Sequence, residues 1–184
     1  VRYRIVVEDQ TGSELTIPYP DDPQPNFAYF VFDGVPAWTG AAQPGETEEV
    51  TYSPETLSTI PVYHLISSKQ EVEDCTWKDQ RRENEYFYRG TLVYDGKVFD
   101  HIWFRARGGV WRYAMGKNMW KFNFNRGHTL QAHNNYREEY ETEWDKLNLG
   151  ACIQQGDYLH RGEQGMFESV GFRLFQMANM EASN

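Results

Sequence analysis

The clearest pattern of apolar and polar residues lies in the middle of the chain. Two strand-like runs, residues 86–94 and 97–107, flank Asp95-Gly96, a pair typical of a two-residue hairpin turn. The second run divides into two alternating sets: Val98, Ile102, Phe104 and Ala106 in one, and Phe99, His101, Trp103, Arg105 and Arg107 in the other. Successive side chains of a strand point to opposite faces. The pattern therefore predicts a hairpin with a buried even-numbered face and an odd-numbered face that ends in two arginines.

Weaker patterns on either side of this hairpin add further elements. Residues 60–66, 117–124 and 147–149 have the composition of short strands, and residues 71–79 favour a short helix. From Glu163 the period becomes helical, with one apolar stripe: Met166, Phe167, Val170, Leu174, Phe175 and Ala178. The predicted fold class is α+β, mainly antiparallel β with one long C-terminal helix that runs nearly to the end of the chain.

The first 53 residues differ in character from the rest. Residues 1–7 favour a strand that turns at residues 9–12, and four prolines between residues 18 and 25 exclude helix and central strand there. Residues 27–32 favour another strand, and the acidic Gly/Pro-containing segment 41–49 is typical of a boundary. We therefore expect two parts: residues 1–53, the end of a β-sandwich-like module with a proline-rich connector, and residues 54–184.

Composition limits the partners. The formal net charge is -9, from 27 acidic and 18 basic residues, which argues against nucleic acid or an anionic membrane as a general partner. No stretch approaches the roughly 20 apolar residues of a membrane span. Cys75 and Cys152 are too few for a zinc framework, and either a disulfide or two buried thiols fits them. The five histidines show no metal-ligand spacing, so no metal site is expected.

The order of elements favours one kind of chemistry. A strand, a glycine turn, a lysine-bearing strand and a helix with an acidic residue are the parts of a kinase small lobe. Glycine amides approach phosphates, a lysine neutralises phosphate oxygens, and a helix glutamate holds that lysine. The alternative interpretation is structural, because strand arginines are ordinarily solvated and edge-strand lysines discourage aggregation.

Three runs in this order resemble the CotH kinase family, named after a spore-coat protein: YRGTLVYDG at 88–96, HIWFRARGG at 101–109 and GKNMWKFNF at 116–124. Residues 60–63, the Leu-Asn-Leu at 147–149 and the helix around Glu168 also fall where the family has its entry strand, its Leu-Asn-Leu element and its helix. The resemblance covers residues 57–180 and identifies residues 54–184 as a kinase-like small lobe.

The resemblance implies an ATP-dependent protein kinase that uses a divalent metal such as Mg²⁺, has a protein substrate, and is secreted or lies at the cell surface. By position, Lys117 corresponds to the phosphate lysine, with Lys121 as its competitor, and Glu168 to the helix partner. The remaining nucleotide-binding positions line the loop: Arg105, Arg107, Gly108 and Gly109.

Two departures from the family shape the expectation for this chain. The turn after Arg107-Gly108 is Gly109 to Tyr113, where the family has a small polar turn, and the sequence ends before a second lobe that would carry catalytic and metal-binding acids. We therefore expect no catalytic residue and no turnover from these residues alone. An apolar stripe left uncovered on the helix would favour self-association. The alternative function is a non-catalytic binding or structural module of a cell surface or coat.

Overall fold

The computed structural model describes residues 1–40, 48–78, 86–108, 118–134, 136–150 and 166–180. Its strands are β1 Arg2–Tyr3, β2 Ile5–Glu8, β3 Glu14–Ile17, β4 Phe27–Ala28, β5 Trp38–Gly40, β6 Val50–Tyr52, β7 His64–Ile66, β8 Tyr88–Tyr94, β9 Lys97–Arg107, β10 Met119–Asn123 and β11 Lys146–Leu149. Its helices are α1 Pro54–Leu57, α2 Lys69–Glu73, which continues into a π-helical turn Asp74–Lys78, and α3 Met166–Met177. The predicted strand-rich mixed fold with mostly antiparallel sheets is confirmed.

A five-stranded antiparallel sheet forms the centre of the molecule. Its order, β11-β10-β9-β8-β7, is a meander in which each strand pairs with its neighbour in sequence. One face, the core face, is buried through apolar side chains of β8 to β11 and of the segment that precedes β11: Leu92, Phe99, Ile102, Phe104, Ala106, Phe122, Phe124, Leu130, Ala132 and Leu147. The π-helical turn packs here, and the Cys75 thiol accepts a hydrogen bond from the Ala106 amide at 2.8 Å. We call the opposite side the outer face.

The predicted turn between β8 and β9 is confirmed. Both of its residues have a positive φ, 49° at Asp95 and 72° at Gly96. Two consecutive positive values define the type I′ turn, whose twist matches that of the strands it joins. The local sequence therefore fixes where this hairpin reverses direction.

A β-bulge in β9 overturns part of the predicted alternation. Gly90 lies opposite Ile102 and Leu92 lies opposite Phe99, so β9 has one more residue than β8 at this point. His101 absorbs the irregularity with a φ of 53°. An extra residue reverses which face the side chains reach. Phe99, predicted for the odd-numbered face, is therefore a core residue with 6% exposure, and Val98 is displaced from the core face.

Three two-stranded sheets lie in the described residues 1–40 and 48–52. β1 pairs with β4, β2 with β3, and β5 with β6, each pair antiparallel. The strand predicted over residues 27–32 is confined to Phe27–Ala28. Because β1 pairs with β4, the start of the chain lies beside the residues that follow the proline-rich connector.

The C-terminal helix α3 has 12 residues, Met166–Met177. This is an average helix length for a globular protein, so the expected long helix is not confirmed. No helix in the described part of the chain is long and apolar enough to span a membrane.

Candidate functional site

The outer face of the sheet carries most of the described candidate residues. By strand alternation, Arg89 of β8, Trp103, Arg105 and Arg107 of β9, and Lys121 of β10 project from this face. We call Arg89, Arg105, Arg107 and Lys121 the cation patch. Four basic side chains thus share one face of a chain with a net charge of -9.

Arg105 and Lys121 form the centre of the cation patch. They lie directly opposite each other in the register of β9 and β10, and both are partly buried. Cβ atoms of directly opposed residues are roughly 5 Å apart. The Phe87 ring lies beneath both, with its centroid 5.4 Å from Arg105 Cζ and 5.9 Å from Lys121 Nζ. The electron-rich face of one aromatic ring therefore makes cation–π contacts with both side chains.

Arg89 is held by a second aromatic ring. Its guanidinium carbon lies 3.9 Å from the centroid of Trp103, its register partner in β9. The indole is the best aromatic partner for a cation, and the stacked guanidinium keeps its N–H groups at the ring edge for other acceptors. Trp103 lies two residues before Arg105 in β9, so the Arg89 guanidinium is a third cation on the same face, next to Arg105 and Lys121.

The structure brings some of the predicted nucleotide-binding residues together. Arg107 extends the row of Arg105, and its register partner is Met119. Gly108 follows with a φ of 93°, a backbone conformation that favours glycine. Gly109 and Lys117 lie outside the described residues. Glu168 is in the first turn of α3, and its side chain is outside the described part. The predicted contact between lysine and glutamate therefore stays a prediction.

Sequence reasoning missed a buried carboxylate next to the cation patch. The Asp100 side chain has no exposed surface and accepts hydrogen bonds from Arg2 Nε and Nη2 at 2.7 Å each. Thr91 Oγ1 donates to it at 2.5 Å, Asn26 Nδ2 at 2.8 Å and the His101 amide at 2.9 Å. Burial alone would raise the pKa of Asp100, but these hydrogen bonds lower it well below its usual range.

His101 lies at the edge of the same cluster. Its Nε2 is 2.5 Å from Asn26 Oδ1, and its carbonyl and that of Asp100 accept bonds from Asn125 Nδ2 at 3.3 and 3.0 Å. Burial lowers the pKa of His101; the Asp100 carboxylate opposes that shift, and Arg2 and two further arginines add to it. The strand pattern did not predict that Asp100 and His101 contact the start of the chain. Arg2 and Asn26 are 98 and 74 residues away from Asp100, and a local pattern carries no information about such distant partners.

A cavity of about 440 Å³ opens beside this cluster. Its lining includes Arg2, Ser67, Glu71, Arg89 and His101. Glu71 accepts a bond from Ser67 Oγ at 2.7 Å and caps α2 through Ser68, which lowers the pKa of Glu71. Two arginines thus face one ionised glutamate across the cavity.

A larger cleft of about 1570 Å³ lies on the core-face side. Its aromatic wall includes Tyr63 and Tyr94, stacked with centroids 4.2 Å apart, and Trp144. Burial raises the pKa of Tyr63, and the neighbouring Tyr94 adds to this effect. Arg137 and Arg173 lie at its margin. This cleft contains none of the described candidate residues.

No three His, Cys, Asp or Glu side chains within the described ranges gather closely enough to hold a metal ion. Comparisons with family models, curated proteins and solved structures find no match to this chain.

Proposed function

We propose that the chain is the nucleotide-binding small lobe of a CotH-like protein kinase domain, preceded by the end of a sandwich-like module. In this proposal the cation patch holds the phosphate groups of ATP. The intact protein would phosphorylate a protein substrate outside the cell or at its surface. Mg²⁺ enters only as the cation that accompanies ATP in the family, because the proposal assigns no metal ligand to the described residues.

The observation that carries the proposal is the opposition of Arg105 and Lys121. Like charges directly opposite each other destabilise a sheet. A phosphate between them would convert this repulsion into charge-assisted hydrogen bonds, which are roughly twice as strong as neutral ones. The partial burial of both side chains strengthens the argument, because partly desolvated charges attract an anion more strongly than fully solvated ones. An anion bound between the two side chains would therefore be favoured by both charges.

The composition of the surrounding face supports a phosphate ligand. The described side chains at positions 87, 89, 103, 105, 107, 119, 121 and 123 are basic, aromatic, Met or Asn, and none is acidic. Such a patch creates a local positive field on a protein of negative net charge and raises the local concentration of anions. The proposal exchanges the roles expected from the sequence: Lys121, which lies opposite Arg105, becomes the phosphate lysine, and Lys117 becomes its competitor.

The second candidate function is a non-catalytic binding module. It is favoured by the β2–β3 hairpin, whose apolar residues Ile5, Val6, Val7, Leu15 and Ile17 are 39% to 58% exposed. Apolar surface of this kind is typical of sites that contact another macromolecule. A module of this kind would show no selectivity for triphosphates.

Isothermal titration calorimetry would test the proposal with ATP, inorganic tripolyphosphate and adenosine, each with and without Mg²⁺. We expect ATP and tripolyphosphate to bind, with affinities that fall as salt is raised, and adenosine to bind far more weakly. Lys121→Ala should weaken ATP binding by about 10- to 100-fold, since a hydrogen bond to a charged group contributes roughly 1.5–3 kcal/mol. Lys117→Ala is compared in parallel.

Lys97→Ala serves as the matched control, because Lys97 is an exposed lysine at the start of the neighbouring strand β9, beside the turn and away from the cation patch. Equal ATP affinities for Lys97→Ala, Lys117→Ala and Lys121→Ala would overturn the assignment of the phosphate site. Adenosine binding as tight as ATP binding, or no ATP binding by a folded chain, would overturn the nucleotide proposal and favour the binding module.

A further inference from the structure

The first 32 residues attach to the body of the protein through a few specific contacts. We call this segment the strap (residues 1–32). Arg2 and Asn26 bind Asp100, which lies on the outer face beyond the cation patch. The Phe30 and Phe32 rings pack against His64, and their centroids lie 5.1 and 5.0 Å from the centroid of the imidazole ring. The strap therefore covers one end of the same sheet face that carries the cation patch.

Histidines occupy three of the points where the body meets the strap. His64 contacts the two phenylalanine rings, His101 contacts Asn26, and His128 Nε2 lies 3.8 Å from an Asp22 carboxylate oxygen. The chain has five histidines in all. Histidine is the side chain whose charge ordinarily changes between pH 5 and 8. Three of the contacts between the strap and the body therefore involve this type of side chain.

His101 is partly buried, and its hydrogen bond identifies its tautomer. Asn26 Nδ2 donates to Asp100, so Asn26 Oδ1 is the acceptor that faces His101 Nε2. The neutral ring therefore carries its proton on Nε2, and acid adds the second proton at Nδ1. That proton leaves the Asn26 bond intact but introduces a charge at a partly desolvated position.

The surroundings of His101 are unfavourable for this charge. Three arginines repel a protonated ring: Arg2 and Arg4 of the strap and Arg89 of β8. The Asp100 carboxylate attracts it, with Oδ2 3.7 Å from His101 Nε2. The Asp100 carboxylate already accepts both bonds of the Arg2 guanidinium, which reduces what it can offer to a second cation. Burial and the three arginines together outweigh Asp100 and lower the pKa of His101.

The other two histidines do not reverse this balance. In the pair formed by His128 and Asp22 both side chains are more than a third exposed, and such pairs contribute little. His64 contacts the strap through the rings of Phe30 and Phe32. His101 is thus the group whose protonation opposes the attachment.

We propose that the strap is an acid-released latch, in which protonation of His101 loosens the attachment of Arg2 and Asn26 to Asp100 and uncovers that end of the outer face. Asp100 stays ionised throughout this transition, because its pKa lies far below the range in which His101 titrates. The free energy of attachment then falls as pH drops below the ordinary histidine value of ~6.5. The latch is independent of any nucleotide at the cation patch.

Hydrogen exchange measured by mass spectrometry at pH 7.5 and 5.5 would test the latch. We expect protection factors in strap peptides, corrected for the intrinsic pH dependence of exchange, to fall at pH 5.5 by up to about tenfold for each unit by which the pKa is lowered. Peptides from β10 should keep their protection. In His101→Gln, whose amide can donate to Asn26 but does not titrate, the strap should show equal protection at both pH values.

His128→Gln is the matched control, because it removes an exposed histidine at the strap without touching the Asp100 cluster. It should leave the pH effect in place or enlarge it. An unchanged strap between pH 7.5 and 5.5 in the unsubstituted chain would overturn the latch, as would the same loss of protection in His101→Gln. If His101→Gln does not fold, NMR decides: strap amide signals must titrate together with the His101 ring protons, and signals that shift independently overturn the proposal.

Discussion

At the scale of single residues, Asp100 has the largest structural consequence. It connects β9 to two strap residues, Arg2 and Asn26, that are far away in sequence, and it has no exposed side-chain surface. An ionised carboxylate in such a place is tolerated only when hydrogen bonds replace the lost water. The five bonds it accepts do this, and they determine where the start of the chain lies.

Asp100→Asn should lower the free energy of unfolding by about 2–4 kcal/mol. The substitution removes the charge that the half-exposed Arg2 guanidinium pairs with and turns one acceptor into a donor that faces other donors. Urea unfolding followed by circular dichroism measures the change. Asp145→Asn is the control, since Asp145 pairs with Lys146 at the surface and should change the value by less than about 1 kcal/mol.

Asp100 also makes the free energy of unfolding depend on pH. The pKa of Asp100 is lowered in the folded state, so the carboxylate stabilises the fold above its unfolded pKa of ~3.9 and loses this contribution as pH falls below that value. In the His101→Gln background, which removes the titration of His101, the difference between the chain with Asp100 and the chain with Asp100→Asn should therefore be constant from pH 7 to 5 and shrink below about pH 4. A difference that shrinks already at pH 6 would contradict the assignment to Asp100.

At the scale of elements, the hairpin β8–β9 shows two opposite cases. Its turn follows from Asp95-Gly96, because two positive φ values in succession suit these residues and few others. Its bulge at His101 is not visible in the sequence, since a strand with one extra residue has the same composition as one without it. That single residue moved Phe99 into the core and left the two arginines on the outer face.

Gly96→Ala should destabilise the protein by roughly 1–2 kcal/mol, because φ at position 96 is 72° and a Cβ atom is strained there. No neighbouring atom lies within 4 Å of that Cβ, so the cost comes from the backbone alone. Urea unfolding measures it. Asp95→Asn, which keeps a residue suited to the first turn position, should leave stability unchanged, and an equal loss in both variants would contradict the turn as the cause.

At the scale of the whole molecule, α3 presents apolar side chains to solvent. Val170, Leu174, Phe175 and Met177 are 49% to 72% exposed. An exposed apolar stripe of this kind favours contact with another protein surface. Self-association, which the sequence led us to expect from an uncovered helix, therefore stays a proposal with a defined surface.

Leu174→Glu should shift the chain toward the monomer in sedimentation velocity measured over a hundredfold range of concentration. The charge would have to be buried in any interface that uses the stripe. Ser169→Glu adds the same charge at an exposed polar position of the same helix and should leave the distribution unchanged. A monomeric unsubstituted chain at every concentration would contradict the proposal.

The sequence by itself determined the elements whose signals are local. The Asp95-Gly96 turn, the alternation of β9 beyond residue 101 and the strand-rich class all depend on residues within a few positions of each other, so they could be read directly. The same holds for Arg105 and Arg107, which strand alternation placed on one face of their strand before the register was known.

Only the tertiary structure decided which distant residues meet. The opposition of Arg105 and Lys121, their shared Phe87 ring and the contact of Arg2 and Asn26 with Asp100 depend on strand register and on the path of the strap. A single bulge changes such pairings without changing composition, and no local pattern specifies a partner that lies 74 or 98 residues away. The physical reason is that propensity acts along the chain, whereas charge pairing and burial act through space.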